Sequence, residues 1–317
     1  MSEKSPILVS VQFDGNRTGE NLSNSLNRSV IDWTKADKPT SLAGVKYALV
    51  WKIDPDLFDR MPDLEVIFSA GAGVDKIMEA THLPDVPIVR FVDDTLTNRM
   101  SEWVCLQCLM HLRQQRTYDQ LQDNREWKEL PQPQASEINV GIMGLGVLGQ
   151  DAARKLKMLG FGVRGWSRTK KSIEGLTCFD QNETDAFLEE TDFLVGLLPL
   201  TPDTESFFDR SVFQKLRKHA DLKSPVFINA GRGRSQNEKD VLACLQDGTL
   251  GGASLDVFQT EPLPKDSELW NAAGLIITPH AAATSDISAL GRHVEKQIAR
   301  HEAGEMLENV VDRKLGY

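Results

Sequence analysis

Short apolar runs separated by helical and turn-rich stretches make up the first hundred residues of the chain. Four runs rich in β-branched and aromatic residues are predicted to be strands: 7–13, 47–51, 66–71 and 88–92. Because these strands are apolar almost throughout, they are typical of a parallel sheet that helices cover on both faces. Turns such as Asp54-Pro55 and Leu83-Pro84 separate them. The pattern predicts a small α/β domain.

A helical pattern begins near Ser101 and carries apolar residues at helical spacing as far as Leu112. It runs into a polar stretch, residues 120–137, which contains Trp127 and two prolines. This stretch has too little apolar pattern to fold alone. It is predicted to be either a surface loop or an arm that packs on a partner.

A second series of strand and helix patterns fills residues 138–284. Strands are predicted at 138–144, 162–168, 193–199, 226–232, 254–257 and 275–280, with helices at 147–160, 209–216 and 237–247. Strands that alternate with helices predict a doubly wound parallel sheet. A last helix, 286–304, follows the final strand of this series and is not required to cover the second sheet. It is therefore predicted to pack on the first domain.

Composition and charge narrow the function classes. The chain has 317 residues, enough for two domains that each bury a core. Its formal net charge of −10 disfavours a nucleic-acid partner. The longest apolar runs end well short of a membrane span, and the polar N-terminus lacks the layout of a signal peptide. A cytoplasmic protein without a membrane partner is therefore predicted.

Two of the four cysteines are spaced as Cys105-x-x-Cys108, with His111 three residues further on. A redox or metal site is one interpretation of this spacing. However, the helical run supplies no fourth ligand at zinc spacing. Buried, reduced thiols and no metal are predicted.

A glycine-rich turn joins the first strand of the second series to its helix. It reads Gly144-Leu145-Gly146-Val147-Leu148-Gly149. In the pattern G-x-G-x-x-G the first glycine permits a tight turn, the second lets the backbone approach a diphosphate, and the third permits close helix–strand packing. The helix N-terminus stabilises the phosphate charge. The order strand, glycines, helix, strand predicts a dinucleotide site.

The end of the second strand of this series indicates which dinucleotide binds. An acidic residue is expected there for NAD, but the position holds Ser167, followed by Arg168, Lys170 and Lys171. The basic cluster is either a solvated turn or a site for a 2′-phosphate. Behind a dinucleotide fingerprint we favour the phosphate site, so NADPH is the predicted cofactor, with NAD as the alternative.

Three more strand ends carry side chains that suit a 2-keto acid. Arg232, Asp256, Glu261 and His280 each lie at or just beyond the carboxyl end of a predicted strand, where doubly wound sheets bind ligands. A planar guanidinium binds a carboxylate through two hydrogen bonds. Hydride transfer to C2 leaves an alkoxide, which a protonated histidine can protonate. A glutamate on the other ring nitrogen orients the imidazole and favours its charged form.

With these motifs together, the sequence resembles the D-isomer-specific 2-hydroxyacid dehydrogenases, and within that family the glyoxylate/hydroxypyruvate reductases. The resemblance covers nearly the whole chain, including the segment 69–75, Ser-Ala-Gly-Ala-Gly-Val-Asp. It implies that Arg232, Glu261 and His280 form the catalytic trio. The expected reaction is NAD(P)H-dependent reduction of a small-molecule 2-keto acid to the D-2-hydroxy acid.

The resemblance also implies binding residues. The substrate carboxylate is expected on the backbone N–H groups of Gly71, Ala72, Gly73 and Val74. Trp51 either walls the substrate pocket or belongs to the core. The expected cofactor-binding residues are Gly144, Gly146, Val147, Leu148, Gly149, Ser167, Arg168, Lys170, Pro199, Ala230 and Asp256.

The family architecture implies a division into two domains. Residues 1–100 would form a smaller flavodoxin-like substrate lid, completed by 285–317, and residues 101–284 a Rossmann domain with a dimerisation arm. A homodimer is therefore expected. Trp127 would either reach a neighbouring subunit's pocket or anchor the arm.

Other interpretations of the same scaffold remain. A D-lactate type of dehydrogenase is the main alternative, whereas the absence of large regulatory domains disfavours a phosphoglycerate enzyme. Formate dehydrogenases use a glutamine-histidine pair, but Glu261 stands here. A non-catalytic NAD(P)H-sensing protein of the corepressor kind has the same fold. The absence of long disordered extensions disfavours it.

Overall fold

The computed structural model describes residues 4–11, 22, 25–35, 37–51, 53–54, 56–222 and 224–317. Within it the chain divides into two compact units, one of Met1–Leu96 with Ser285–Tyr317 and one of Thr97–Thr284. We refer to them as unit 1 and unit 2. The last residues of the strand predicted at 7–13 lie outside the described part of the chain.

The helices are as follows. They are α1 (Asp75–Met78), α2 (Asp94–Leu112), α3 (Gln115–Asp123), α4 (Val147–Met158), α5 (Thr184–Glu189), α6 (Arg210–Gln214), α7 (Glu238–Gln246) and α8 (Ile287–Glu302). Side-chain caps determine where several begin: Asp209, Asn237 and Asp286 each accept a hydrogen bond from a backbone N–H of the first turn that follows.

Unit 1 is built on a five-stranded parallel sheet. Its strands are β1 (Ile7–Ser10), β2 (Val30–Asp32), β3 (Tyr47–Val50), β4 (Val66–Ser69) and β5 (Ile88–Val89), in the order β2-β1-β3-β4-β5. This is the flavodoxin-like order. Every residue of β1, β3 and β4 is buried, which explains their continuous apolar sequence. Strand β2 was not predicted, because its three half-buried residues, Val-Ile-Asp, end in a charged side chain and form no apolar run.

Unit 2 contains a seven-stranded parallel sheet. Its strands are β6 (Asn139–Met143), β7 (Gly162–Trp166), β8 (Thr177–Phe179), β9 (Phe193–Gly196), β10 (Val226–Asn229), β11 (Gly252–Leu255) and β12 (Leu275–Ile277), in the order β12-β11-β10-β9-β6-β7-β8. The chain order reverses between β6 and β9, the switch point at which such sheets bind ligands. The predicted α/β fold class with a doubly wound sheet is confirmed.

The helical region before this sheet differs from its prediction. Helix α2 begins at Asp94 rather than near Ser101. It ends at Leu112, and Gln114, whose φ is 54°, separates it from α3. Beyond α3, residues 124–134 contain neither helix nor strand. The hydroxyl of Tyr118 in α3 accepts a hydrogen bond from the backbone N of Leu130 at 3.1 Å. The polar stretch therefore folds back on α3, and the side chain of Trp127 is fully exposed.

The described residues contain no membrane-spanning helix, no cluster of three metal ligands and no disulfide. No helix in this part of the chain is long and apolar enough to cross a membrane. No group of three His, Cys, Asp or Glu side chains within the same residues is placed to hold a metal ion. The four cysteines are free thiols, and burial raises the pKa of the Cys108 thiol, which favours its neutral form.

Candidate active site

The turn between β6 and α4 has the geometry of a dinucleotide loop. Gly144 has a φ of +113°, and a Cβ there would lie 2.5 Å from the carbonyl oxygen of Leu197. A Cβ on Gly149 would lie 1.9 Å from the carbonyl oxygen of Gly144. Both positions therefore require glycine for the fold.

Gly146 differs from these two glycines, because a Cβ built on it would meet no heavy atom of the described residues within 4 Å. It directly precedes Val147, the first residue of α4. Open space beside a helix N-terminus is what a diphosphate needs. The residues of this turn thus fit the phosphate groups of a dinucleotide.

The carbonyl of Leu145, between the two outer glycines, is held from two sides. It accepts hydrogen bonds from Lys171 Nζ at 2.7 Å and from Gln150 Nε2 at 2.9 Å. The two hydrogen bonds hold the peptide plane between Leu145 and Gly146 in one orientation. Lys171 also places a positive charge at the turn. Its place in the basic cluster does not predict this contact with the glycine turn, because nothing local in the sequence links Lys171 to Leu145.

The basic cluster follows β7 directly. Ser167 is buried, and its hydroxyl donates to the carbonyl of Thr169 at 2.9 Å. Lys170 forms an ion pair with Glu183, and its hydrogen bond lowers the pKa of that carboxyl. The charge of Lys170 is thus balanced within the protein. A role of Ser167, Arg168 and Lys170 in binding a 2′-phosphate stays a prediction.

His280 and Glu261 form a hydrogen-bonded pair beyond the carboxyl ends of β11 and β12. Nδ1 of His280 lies 2.8 Å from Oε2 of Glu261. The other carboxylate oxygen, Oε1, accepts the backbone N–H of Phe258 at 3.1 Å. Because the backbone holds one oxygen, the other can orient the imidazole ring. The side chains are 36 % and 31 % exposed, so the pair is accessible to a ligand.

Asp256 shapes the turn that carries His280. Its buried carboxylate accepts hydrogen bonds from Thr278 Oγ1 at 2.5 Å, from Ala281 N at 2.8 Å and from Ala282 N at 3.0 Å. Its backbone carbonyl accepts the N–H of His280 at 2.8 Å. These bonds hold His280 at a φ of 54°, in the left-handed region that few side chains adopt. The structure thus gives Asp256 a structural role, while its contact with nicotinamide stays a prediction.

Arg232 lies on the turn after β10, between the buried residues Ala230 and Gly233. Its Nη1 donates to the carbonyl of Gly231 at 2.8 Å. Its own carbonyl accepts the hydroxyl of Ser235 at 2.6 Å. These two hydrogen bonds hold the backbone of the turn at the residue that carries the guanidinium. Pro199, which is predicted to contact the cofactor, lies just after β9, the strand that pairs with β10, and it is half-buried.

Within unit 1, Trp51 packs on the loop 71–74. A Cβ on Gly71 would lie 2.5 Å from Cζ3 of Trp51, so the indole requires glycine at this position. The hydroxyl of Ser69 donates to the carbonyl of Gly73 at 2.8 Å and accepts the N–H of Gly71 at 3.3 Å. Trp51 therefore supports the loop. Whether it also walls a substrate pocket stays a prediction.

Comparison with known proteins places these geometries in a family. The family described as "D-isomer specific 2-hydroxyacid dehydrogenase, NAD binding domain" matches residues 105–282. The glyoxylate/hydroxypyruvate reductase A of Serratia proteamaculans is 37 % identical over 278 residues, which cover 86 % of this chain and 87 % of that protein.

Two solved structures are similar over almost the whole chain. The NADPH-dependent glyoxylate/hydroxypyruvate reductase of Sinorhizobium meliloti, in complex with NADP and sulfate, has a TM-score of 0.96 and 55 % identity and covers 99 % of this chain and 100 % of its own. A probable 2-hydroxyacid dehydrogenase of Rhizobium etli, in complex with NADP, HEPES and L(+)-tartaric acid, has a TM-score of 0.91 and 55 % identity, with 98 % and 99 % covered. The chain described above belongs to the D-isomer-specific 2-hydroxyacid dehydrogenase family.

Proposed function

We propose that this protein reduces a small 2-keto acid, glyoxylate or hydroxypyruvate, to the D-2-hydroxy acid with NADPH. The observation that carries the proposal is the hydrogen bond between His280 and Glu261 on the sheet whose glycine turn fits a dinucleotide. The similar proteins support it, because those of Serratia proteamaculans and Sinorhizobium meliloti are named glyoxylate/hydroxypyruvate reductases. The Rhizobium etli protein is named a probable 2-hydroxyacid dehydrogenase, and the two solved structures hold NADP.

The cofactor supplies the hydride that C2 of the substrate accepts. Gly144, Gly146 and Gly149, with the N-terminus of α4, would hold its diphosphate. Ser167 and Arg168 would contact the 2′-phosphate, since no acidic side chain stands at these positions to repel it.

The three side chains of the catalytic trio bind the substrate, donate the proton and orient the proton donor. Arg232 binds the substrate carboxylate with its planar guanidinium and polarises the neighbouring carbonyl. Because Nδ1 of His280 is bonded to Glu261, we assign proton transfer to Nε2 of the same ring. The negative charge of Glu261 stabilises the imidazolium before the proton leaves for the alkoxide oxygen.

Three further assignments belong to the same proposal. Unit 1 would act as a substrate lid in which the N–H groups of the loop 71–74 hold a carboxylate. The fully exposed Trp127 and the half-exposed Leu106 of α2 support a homodimer, because large apolar side chains at such positions favour burial on a partner. We place the enzyme in the cytoplasm.

Turnover tests the proposal directly. Purified protein is mixed with NADPH and with glyoxylate, hydroxypyruvate or pyruvate, and the nicotinamide absorbance is followed. We expect faster oxidation of NADPH with glyoxylate or hydroxypyruvate than with pyruvate. A preference for pyruvate would favour the D-lactate type of enzyme. Binding of NADPH without turnover of any of the three acids would favour a sensing protein instead.

A further inference from the structure

A buried side-chain amide joins the two loops that carry the proposed catalytic residues. Gln236 has 0 % exposed surface. Its Oε1 accepts a hydrogen bond from Asn229 Nδ2 at 2.8 Å, and its Nε2 donates to the carbonyl of Val257 at 2.9 Å. We infer that Gln236 is a positioning residue that sets the placement of Arg232 relative to the pair of Glu261 and His280. The inference rests on the function proposed above.

On the Arg232 side, the bridge acts through Asn229 at the end of β10. Nδ2 of Asn229 also donates to the carbonyl of Arg232 at 3.2 Å, and its Oδ1 accepts the N–H of Gly231 at 2.9 Å. One amide thus holds the main chain before and after the Arg232 Cα. The hydrogen bond from Gln236 fixes which way this amide faces.

On the other side, the bridge acts through the segment that follows Asp256. Gln236 binds the carbonyl of Val257, and the next N–H, that of Phe258, donates to Glu261. A Cβ on Gly233 would lie 2.0 Å from the carbonyl carbon of Phe258, so the two loops are in direct backbone contact. Movement of one loop therefore displaces the other, and with it the carboxylate that orients His280.

The bridge requires both a donor and an acceptor on one side chain. An apolar residue of similar volume would fill the same space but leave the Val257 carbonyl without this partner, and a buried acceptor that loses its donor destabilises the arrangement. A carboxylate would keep the bond from Asn229 but would place an oxygen against the carbonyl oxygen of Val257. Buried networks of this kind favour one arrangement of the groups they connect.

The matched pair Gln236→Met and Gln297→Met tests the inference. Gln297 of α8 also has 0 % exposed surface, and both of its amide atoms are bonded to Glu308, at 3.0 and 3.3 Å. Both variants should lower the melting temperature. Only Gln236→Met should lower kcat with glyoxylate, by about ten- to a hundredfold, because small misplacements of catalytic groups are that costly. Its KM for NADPH should stay near the wild-type value.

A wild-type-like kcat in Gln236→Met, or an equal loss in both variants, would overturn the inference. A wild type that reduces no 2-keto acid would instead defeat the proposed function, so the two failures are distinguishable. Gln236→Glu provides a second measurement if Gln236→Met does not fold. A protonated carboxyl can again donate to Val257, so the kcat of Gln236→Glu relative to wild type should rise as the pH is lowered. A constant ratio would contradict the bridge.

Discussion

Nδ1 of His280 lies 2.8 Å from Oε2 of Glu261, and the backbone of Phe258 holds the second oxygen of that carboxylate at 3.1 Å. The imidazole is thus oriented by a group that is itself anchored to the main chain. Asp256 adds a second support, since its carbonyl binds the backbone N–H of His280 at 2.8 Å. Ring and backbone of His280 are therefore positioned independently, as a directional proton donor requires.

Replacement of His280 by asparagine should remove the proton donor. We expect His280→Asn to lower kcat with glyoxylate by about a hundredfold or more, while the Kd of NADPH stays near the wild-type value. Steady-state rates and fluorescence titration of NADPH measure the two quantities. His82→Asn, a change at an exposed histidine of unit 1, should leave both unchanged. If His280→Asn kept more than a tenth of the wild-type kcat, another group would have to donate the proton.

Glu261→Gln should lower kcat more than it changes cofactor binding. Oε2 of Glu261 lies 2.8 Å from Nδ1 of His280 and holds one orientation of the ring, whereas a glutamine amide can present either its oxygen or its NH2 group to the imidazole. We expect kcat with glyoxylate to fall by about tenfold, while the Kd of NADPH stays near the wild-type value. Steady-state rates and fluorescence titration of NADPH measure the two quantities. An unchanged kcat would remove Glu261 from the mechanism.

Arg168 and Lys171 should affect the cofactors differently. Arg168→Ala should weaken NADPH alone, by about tenfold or more in kcat/KM, because NADH lacks the 2′-phosphate. Lys171→Met should weaken NADPH and NADH alike, because Lys171 holds the carbonyl of Leu145 in the turn that takes the diphosphate of both. The measurement is kcat/KM for each cofactor at saturating glyoxylate.

A matched control for Lys171 is Lys157, whose ammonium donates to the carbonyl of Gly175, away from the glycine turn. Lys157→Met should leave kcat/KM for both cofactors unchanged. Equal losses of NADPH and NADH in Arg168→Ala would mean that Arg168 does not touch the phosphate. A loss restricted to NADPH in Lys171→Met would assign that lysine to the 2′-phosphate instead of the turn.

The arm of residues 124–134 should bury Trp127 in a homodimer. Light scattering of the wild type at micromolar concentration should report two chains, and Trp127→Glu should shift the population toward monomer or aggregate. Trp270→Glu is the control, since Trp270 is another tryptophan of unit 2 that is half-exposed. A monomeric wild type would contradict the proposal.

His111 should make the protein sensitive to acid. Its Nε2 lies 2.8 Å from Ser254 Oγ, and burial lowers the pKa of His111 to about 4. In the unfolded chain the value is about 6.5, so between these limits the unfolded chain binds a proton that the folded chain does not. The neutral ring therefore contributes stability above about pH 6.5, and about 3 kcal/mol is lost as the pH falls toward 4.

The measurement is the free energy of unfolding against pH. His111→Gln should be less stable near neutral pH but should lose less stability on acidification. The control is His82→Gln: a hydrogen bond to Asp59 raises the pKa of His82, so removing it should not flatten the slope. An equal slope for wild type and His111→Gln between about pH 6.5 and 4 would contradict the assignment.

The sequence alone determined the features that depend on neighbouring residues. Strands β1, β3 and β4 are buried on both faces, so their apolar runs were visible without any knowledge of their partners. The glycine turn at 144–149 was also predictable from neighbouring residues, because the tight turn, the helix start and the close helix–strand packing each require a glycine at a set spacing. The family motifs around Arg232, Glu261 and His280 are likewise short and contiguous.

Tertiary structure decided what depends on residues far apart in the chain. Lys171 reaches Leu145 across 26 residues, Gln236 reaches Val257 across 21, and His111 reaches Ser254 across 143. Edge strands β2 (Val-Ile-Asp) and β8 (Thr-Cys-Phe) each include a polar residue, so their sequences form no apolar run. Edge strands β5 (Ile-Val) and β12 (Leu-Ile-Ile) are as short but wholly apolar, and they were predictable. A polar side chain has the same sequence signature whether water or a distant carbonyl satisfies it. Only the folded chain shows which of the two its hydrogen bonds reach.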